Sequence, residues 1–176
     1  MDALICLEPP QHVTGIVPVL SGQLESSISE PDPEVMIVFN DFDGVEQDPA
    51  FTNSVGDGLR VLAANPTLGG LQLPFLEHRL SVFLYGPGEF AVAALSFSLL
   101  GNGYSGDRIV RQGFDRLIRH LHRALDAKRT IADFDLMSPD SFWKEEAERV
   151  SKFVFAGAYS TDLRAAPDAS ATGGTD

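Results

Sequence analysis

The sequence predicts an α+β fold: a small mixed or antiparallel sheet with about three helices packed on one of its faces. Three observations lead there. Short β-branched or alternating runs recur between Gly- and Pro-containing turns, the pattern of strands. One later segment repeats apolar residues at a helical period. The chain has 176 residues, 44% of them hydrophobic, which is one domain's worth of core. Residues 1–160 are therefore assigned to a single domain. Residues 161–176 are small, polar and interrupted by Gly and Pro, and are expected to form a flexible C-terminal tail.

The elements follow in order. The opening "ALICL" is an apolar run with the look of a strand. Pro9 and Pro10 suit a helix entrance. Val13, Ile16, Val17, Leu20, Leu24 and Ile28 then recur at helical spacing, with Pro18 expected to kink or split that helix. "SEPDPE", 29–34, is a loop, and "VMIVF" places a strand over 35–40. "NDFDGVEQDP" is a turn or loop, "LRVLAA" fits a strand or one turn of helix, and "NPTLGG" is a loop. "HRLSVFLYGPG" reads as a strand over 79–85 stopped by Gly86-Pro87-Gly88. "EFAVAALSFSLL" reads as a helix over 89–100, with Glu89 at the favourable end of its dipole.

A helix over 107–127 comes next. Val110, Phe114, Leu117, Ile118, Leu121 and Leu125 share one face, and Arg108, Arg116, Arg119 and Arg123 lie opposite. Ser138 as N-cap and Pro139 in the first turn start a helix over 139–150, and "SKFVFAGAY" supplies a last strand, 153–159. The expected core contains Val35, Ile37, Phe39, Val82, Leu84, Ala94, Phe114, Leu117, Leu121 and Trp143.

Charge is distributed unevenly. The net charge is −12, yet no Lys or Arg precedes Arg60, while residues 1–59 hold Asp2, Glu8, Glu25, Glu30, Asp32, Glu34, Asp41, Asp43, Glu46, Asp48 and Asp57. The remainder is close to neutral. A front third of that kind repels nucleic acid, so no specific nucleic-acid binding is expected. No apolar run is long enough to cross a bilayer, and the opening lacks a basic segment of the secretory kind. Cys6 is the single cysteine, set in an apolar run, and reads as a buried hydrophobe.

Catalytic patterns are sparse. "IVFNDFDGV" resembles the first motif of the haloacid-dehalogenase superfamily, which would make Asp41 a nucleophile and Asp43 its acid/base. That chemistry also needs a magnesium ion, a lysine and further acids to offset the charge. The only lysines are Lys128, Lys144 and Lys152, and no second strand ends in the required hydroxyl. His120 and His122 are two apart on a helix, about 200° around its axis, and cannot share an ion. Ser81, Ser96 and Ser98 lack the nucleophile elbow, and "YGPGEF" lacks the lysine of a phosphate loop. No catalytic residue, cofactor or metal ligand is assigned.

The stretch "HRLSVFLYGPGEFAVAALSFSLL" resembles the strand–turn–helix segment of tail-terminator and neck proteins of tailed bacteriophages, and "FWKEEAERVSKFVFAGAYSTD" is similar to that family's closing segment. The resemblance implies a ring-forming subunit, without catalytic residues, joining tail tube to head. It places the protein in a virion or the host cytoplasm, with DNA passing through an acidic lumen. Interfaces are expected at Asp41, Asp43, Glu46 and Asp48 on one side and at Arg108, Arg116, Arg119 and Arg123 on the other, in a head-to-tail contact between copies or with other structural proteins. Two readings from other classes stand beside it. One is an acidic binding protein, such as an immunity protein or secretion chaperone, masking a basic partner. The other is a phosphatase built on Asp41 and Asp43.

Overall fold

The structure is a computed structural model that describes residues 1–28, 33–39, 48–76, 78–100, 108–133 and 160–165. Its elements run β1 (Asp2–His12), α1 (Val13–Glu25), β2 (Val35–Phe39), β3 (Ala50–Thr52), α2 (Val55–Ala64), β4 (Gly69–Phe75), β5 (His78–Tyr85), β6 (Ala91–Leu100), α3 (Arg108–Ala124), β7 (Arg129–Asp133) and β8 (Thr161–Arg164). The strands form one eight-stranded sheet in the order β3-β2-β4-β5-β6-β1-β7-β8. Every pairing is antiparallel. The fold is α+β as expected, with a sheet larger than the small one the sequence suggested.

Chain direction explains why the helices share a face. Each helix joins two strands that run the same way with antiparallel strands between them: β1 to β2, β3 to β4, and β6 to β7. Such crossovers take one hand. The step from β1 to β2 runs toward the β3 edge, whereas the other two start from oppositely directed strands and run toward the β8 edge. Reversing both direction and sense keeps the hand, so all three helices fall on one face. α1 contacts both α2 and α3. The core joins Ile16, Leu20 and Leu24 of α1, Leu59 and Leu62 of α2, and Phe114 and Leu121 of α3 to one alternating set of strand residues, among them Ile5, Leu71, Val82 and Phe97.

Two expectations from the sequence are corrected here. Within 89–100, expected as a helix, Ala91–Leu100 form a strand, β6. An apolar run behind Glu89 suggested helix, but Leu95-Ser96-Phe97-Ser98-Leu99 alternates with period two, and β5 and β1 pair with its two sides. The strand-to-helix segment behind the tail-terminator resemblance is thus a β-hairpin. The tail, expected to be loose from 161, begins with β8, which pairs with β7. Arg129 fixes it: Nε and Nη2 donate to the two carboxylate oxygens of Asp162, each at 3.0 Å.

Other elements settle what the sequence left open. "LRVLAA" belongs to α2, capped by Ser54, whose hydroxyl accepts from the Asp57 amide at 3.3 Å. Gly58 lets this helix approach the sheet, since a Cβ there would stand 3.1 Å from Leu71 Cδ2. Pro9 and Pro10, expected at a helix entrance, lie instead inside β1, where its register with β6 shifts between Cys6 and Gln11, and His12 caps α1. Pro18 does not split α1. An interior proline costs about 3 kcal/mol. Burying Val13, Ile16, Leu20 and Leu24 outweighs it, at roughly 1.5–3 kcal/mol per side chain. Nine of the ten expected core residues are described. All are buried except Phe39, which is partly buried against the core. Trp143, helix 139–150 and strand 153–159 lie outside the described residues.

Candidate docking surface

α3 is built as two faces. Val110, Phe114, Leu117, Ile118 and Leu121 are buried, as their spacing predicts. The outward arc, at about 100° per residue, carries Arg108, Arg119, Gln112, Arg123, Arg116, Ile109, His120 and Gly113 in angular order. Arg108, Arg116 and Arg123 are exposed and make no ion pair among the described residues. Arg119 differs: its Nε donates to Asp115 Oδ2 at 2.7 Å, so its charge is partly used within the helix.

A groove borders this arc. α3 contributes Gly113, Arg116, Leu117 and His120 to one wall, and the end of α1 contributes Gln23, Ser26 and Ser27 to the other. Phe75 and Leu76, at the β4–β5 turn, complete it, and the cavity measures about 330 Å³. Gly113 makes the opening, because it places no side chain between α3 and the turn. A Cβ there would meet Leu76 Cδ1 at 3.5 Å and Phe75 Cζ at 3.6 Å, which is ordinary contact. Leu76 is held at φ 54°, a conformation leucine rarely adopts, and stays 37% exposed at the groove. Ile109, one turn before Gly113 on α3, is 72% exposed. The hydroxyls of Ser26 and Ser27 both donate to the Gln23 carbonyl at 2.8 Å, closing the end of α1. The surface thus pairs a slot with one polar wall and an exposed Leu76 with a cationic rim.

The acidic candidates fall elsewhere. Asp41, Asp43 and Glu46 lie outside the described residues. Asp48 is exposed and precedes β3 at one edge of the sheet. α3 packs on β1 and β7, about five strand spacings or roughly 24 Å away. Part of the front third's charge is neutralised within the chain. Glu8 pairs with Lys128 at 3.7 Å, Glu34 with Arg79 at 3.3 Å, and Asp57 with Arg60.

Reactive groups are tied up structurally. Burial pushes the Cys6 thiol up to about 12, with Arg129 pulling weakly the other way. Burial also lowers the pKa of His122, whose Nδ1 lies 2.9 Å from Thr130 Oγ1. Ser98 donates to Asp2 at 2.6 Å on the sheet face away from the helices. Among the described residues, no three of His, Cys, Asp and Glu gather closely enough to hold a metal ion. No described helix is long and apolar enough to cross a membrane.

Sequence reasoning found the arginines and missed the groove. Two signals were available: a glycine inside an otherwise strong amphipathic helix, and Leu76 standing apolar in a turn.

No family model matches the chain, and no curated protein or solved structure matches it either.

Proposed function

We propose that the chain is a structural assembly subunit that docks onto further copies of itself. The arginine face of α3 on one copy receives the acid-rich segment between residues 25 and 48 of the next. One observation carries this reading: Arg108, Arg116 and Arg123 stand exposed on a helix with no ion pair among the described residues, while Asp48, which ends the acidic sequence, precedes β3 at the far edge of the same sheet. Complementary surfaces at opposite ends of a molecule give head-to-tail contacts, which close into rings when the rotation per step allows. A ring joining the tail tube of a phage-like particle to its head is the narrower form of this reading. Its support is the charge layout, since the segment that resembled that family is a hairpin.

Sedimentation of the purified chain over a concentration series tests the proposal. The expected result is a species of several copies at low ionic strength that dissociates as salt is raised, because exposed charge pairs are screened within about 10 Å at 0.1 M. A chain that remains monomeric across the series, or that forms only a one-to-one complex with a basic protein, overturns it in favour of an acidic binding protein.

A further inference from the structure

We infer that the groove beside Gly113 is a receptor for one short segment of a neighbouring copy, Asp41-Phe42-Asp43, with Phe42 seated in the slot. The inference rests on the self-docking reading above and names its contact. Two kinds of complementarity support it. The groove offers Leu76, the most exposed of its apolar residues, over a floor of Phe75 and Leu117; Gln23, Ser26 and Ser27 make one wall polar, and Arg116 beside His120 supplies the positive charge of the other. The sequence "NDFDG" offers a single large apolar side chain between two carboxylates. Laid extended across the groove on binding, such a tripeptide turns neighbouring side chains to opposite sides. Phe42 directed into the slot therefore leaves Asp41 and Asp43 at its mouth, within the sweep of the long Arg116 side chain.

Chain geometry makes the contact intermolecular. Phe39 pairs with Gly69, so the 40–47 segment leaves the sheet at the Gly69 end of β4. It returns at Asp48, two residues before Ala50, whose partner is Ile37. Both anchors sit at that end. The groove lies at the other end of β4, beside Phe75, six residues and about 20 Å away. An eight-residue segment anchored at both ends reaches out and back over at most about 14 Å. Its own groove is beyond that reach, whereas a second copy's groove is not.

The test uses the full chain as receptor and a synthetic peptide of residues 38–48, VFNDFDGVEQD, as probe. Binding is followed by fluorescence anisotropy, and its location by amide chemical shifts. The expected result is saturable binding with shifts concentrated at Gly113, Leu76 and His120. A Phe42→Ala peptide should bind at least about tenfold more weakly. Gly113→Leu in the receptor, which fills the slot with a better helix former, should weaken binding as much while leaving the thermal midpoint at or above that of the native chain. Arg60→Ala, on α2 and away from both the groove and the arginine face, should change affinity less than twofold. If a scrambled peptide binds equally, if Phe42→Ala makes no difference, or if the shifts fall elsewhere, the groove assignment is overturned. Self-association of the full chain is read separately by sedimentation. Copies that associate while the peptide ignores the groove overturn this inference alone, and a chain that never associates overturns the reading beneath it.

Discussion

Helices α1 and α3 cross the same face of the same sheet, yet they are made of different material. α1, VTGIVPVLSGQLE, carries one charged residue, two glycines and an interior proline. α3, RIVRQGFDRLIRHLHRA, carries five arginines, two histidines and one aspartate. α1 contacts the other two helices as well as the sheet, so its neighbours supply what its propensity lacks. α3 stands nearer the β8 edge with most of its outward arc exposed, and its amphipathic pattern alone specifies its placement. The difference teaches where to look for function. A helix enclosed by neighbours spends its sequence on packing, and a peripheral helix has a second face free for another task. On α3 that face is arginine-rich and borders a slot.

The comparison breaks first, and by the largest amount, if the inward faces of the two helices are not equivalent. Leu20 of α1 and Phe114 of α3 are both fully buried. Leu20→Ala and Phe114→Ala should each cost about 3–5 kcal/mol by urea unfolding. A loss below about 1 kcal/mol for either would show that its helix is not part of the shared core.

The next contrast is in acid. α1 carries no histidine, whereas His122 of α3 is half-buried with a lowered pKa, chiefly through burial. A histidine whose folded value is lowered takes up its proton more readily when unfolded. Stability should therefore fall as pH drops below the ordinary value near 6.5 and go on falling until the lowered folded value is passed. His122→Gln should flatten that slope, read from urea midpoints between about pH 7 and pH 5. An unchanged slope would assign the acid sensitivity to other groups.

The smallest effect sharpens the comparison most. A Cβ at Gly15 or Gly22 of α1 meets nothing within 4 Å, and one at Gly113 meets only ordinary contacts. Alanine at any of the three should raise stability by about 0.5–1 kcal/mol, since glycine is a poor helix former. Only the change at Gly113 should alter docking.

Much of this was legible in the sequence. The buried and outward residues of α3 followed from a single 3.6-residue period, and β2 and β5 from β-branched and alternating runs. Residues 89–100 are legible as an apolar helix behind Glu89, and only the flanking strand on each side makes the Leu-Ser-Phe-Ser-Leu alternation decisive. α2 was hidden by its length: ten residues with two glycines declare little until Gly58 is seen lying against Leu71. The arginine half of the surface could be read along the chain. The groove could not, because it exists only where the end of α1, the β4–β5 turn and α3 meet, and these are remote in sequence.

Charge reversal on the outward face of α3 tests the central claim most directly. Arg116→Glu with Arg123→Glu should leave the urea midpoint nearly unchanged, because both side chains are exposed and outside the described ion pairs. Sedimentation at low salt should then show the native chain as a multi-copy species and the double variant as a monomer. A variant that assembles as fully as the native chain would contradict the account.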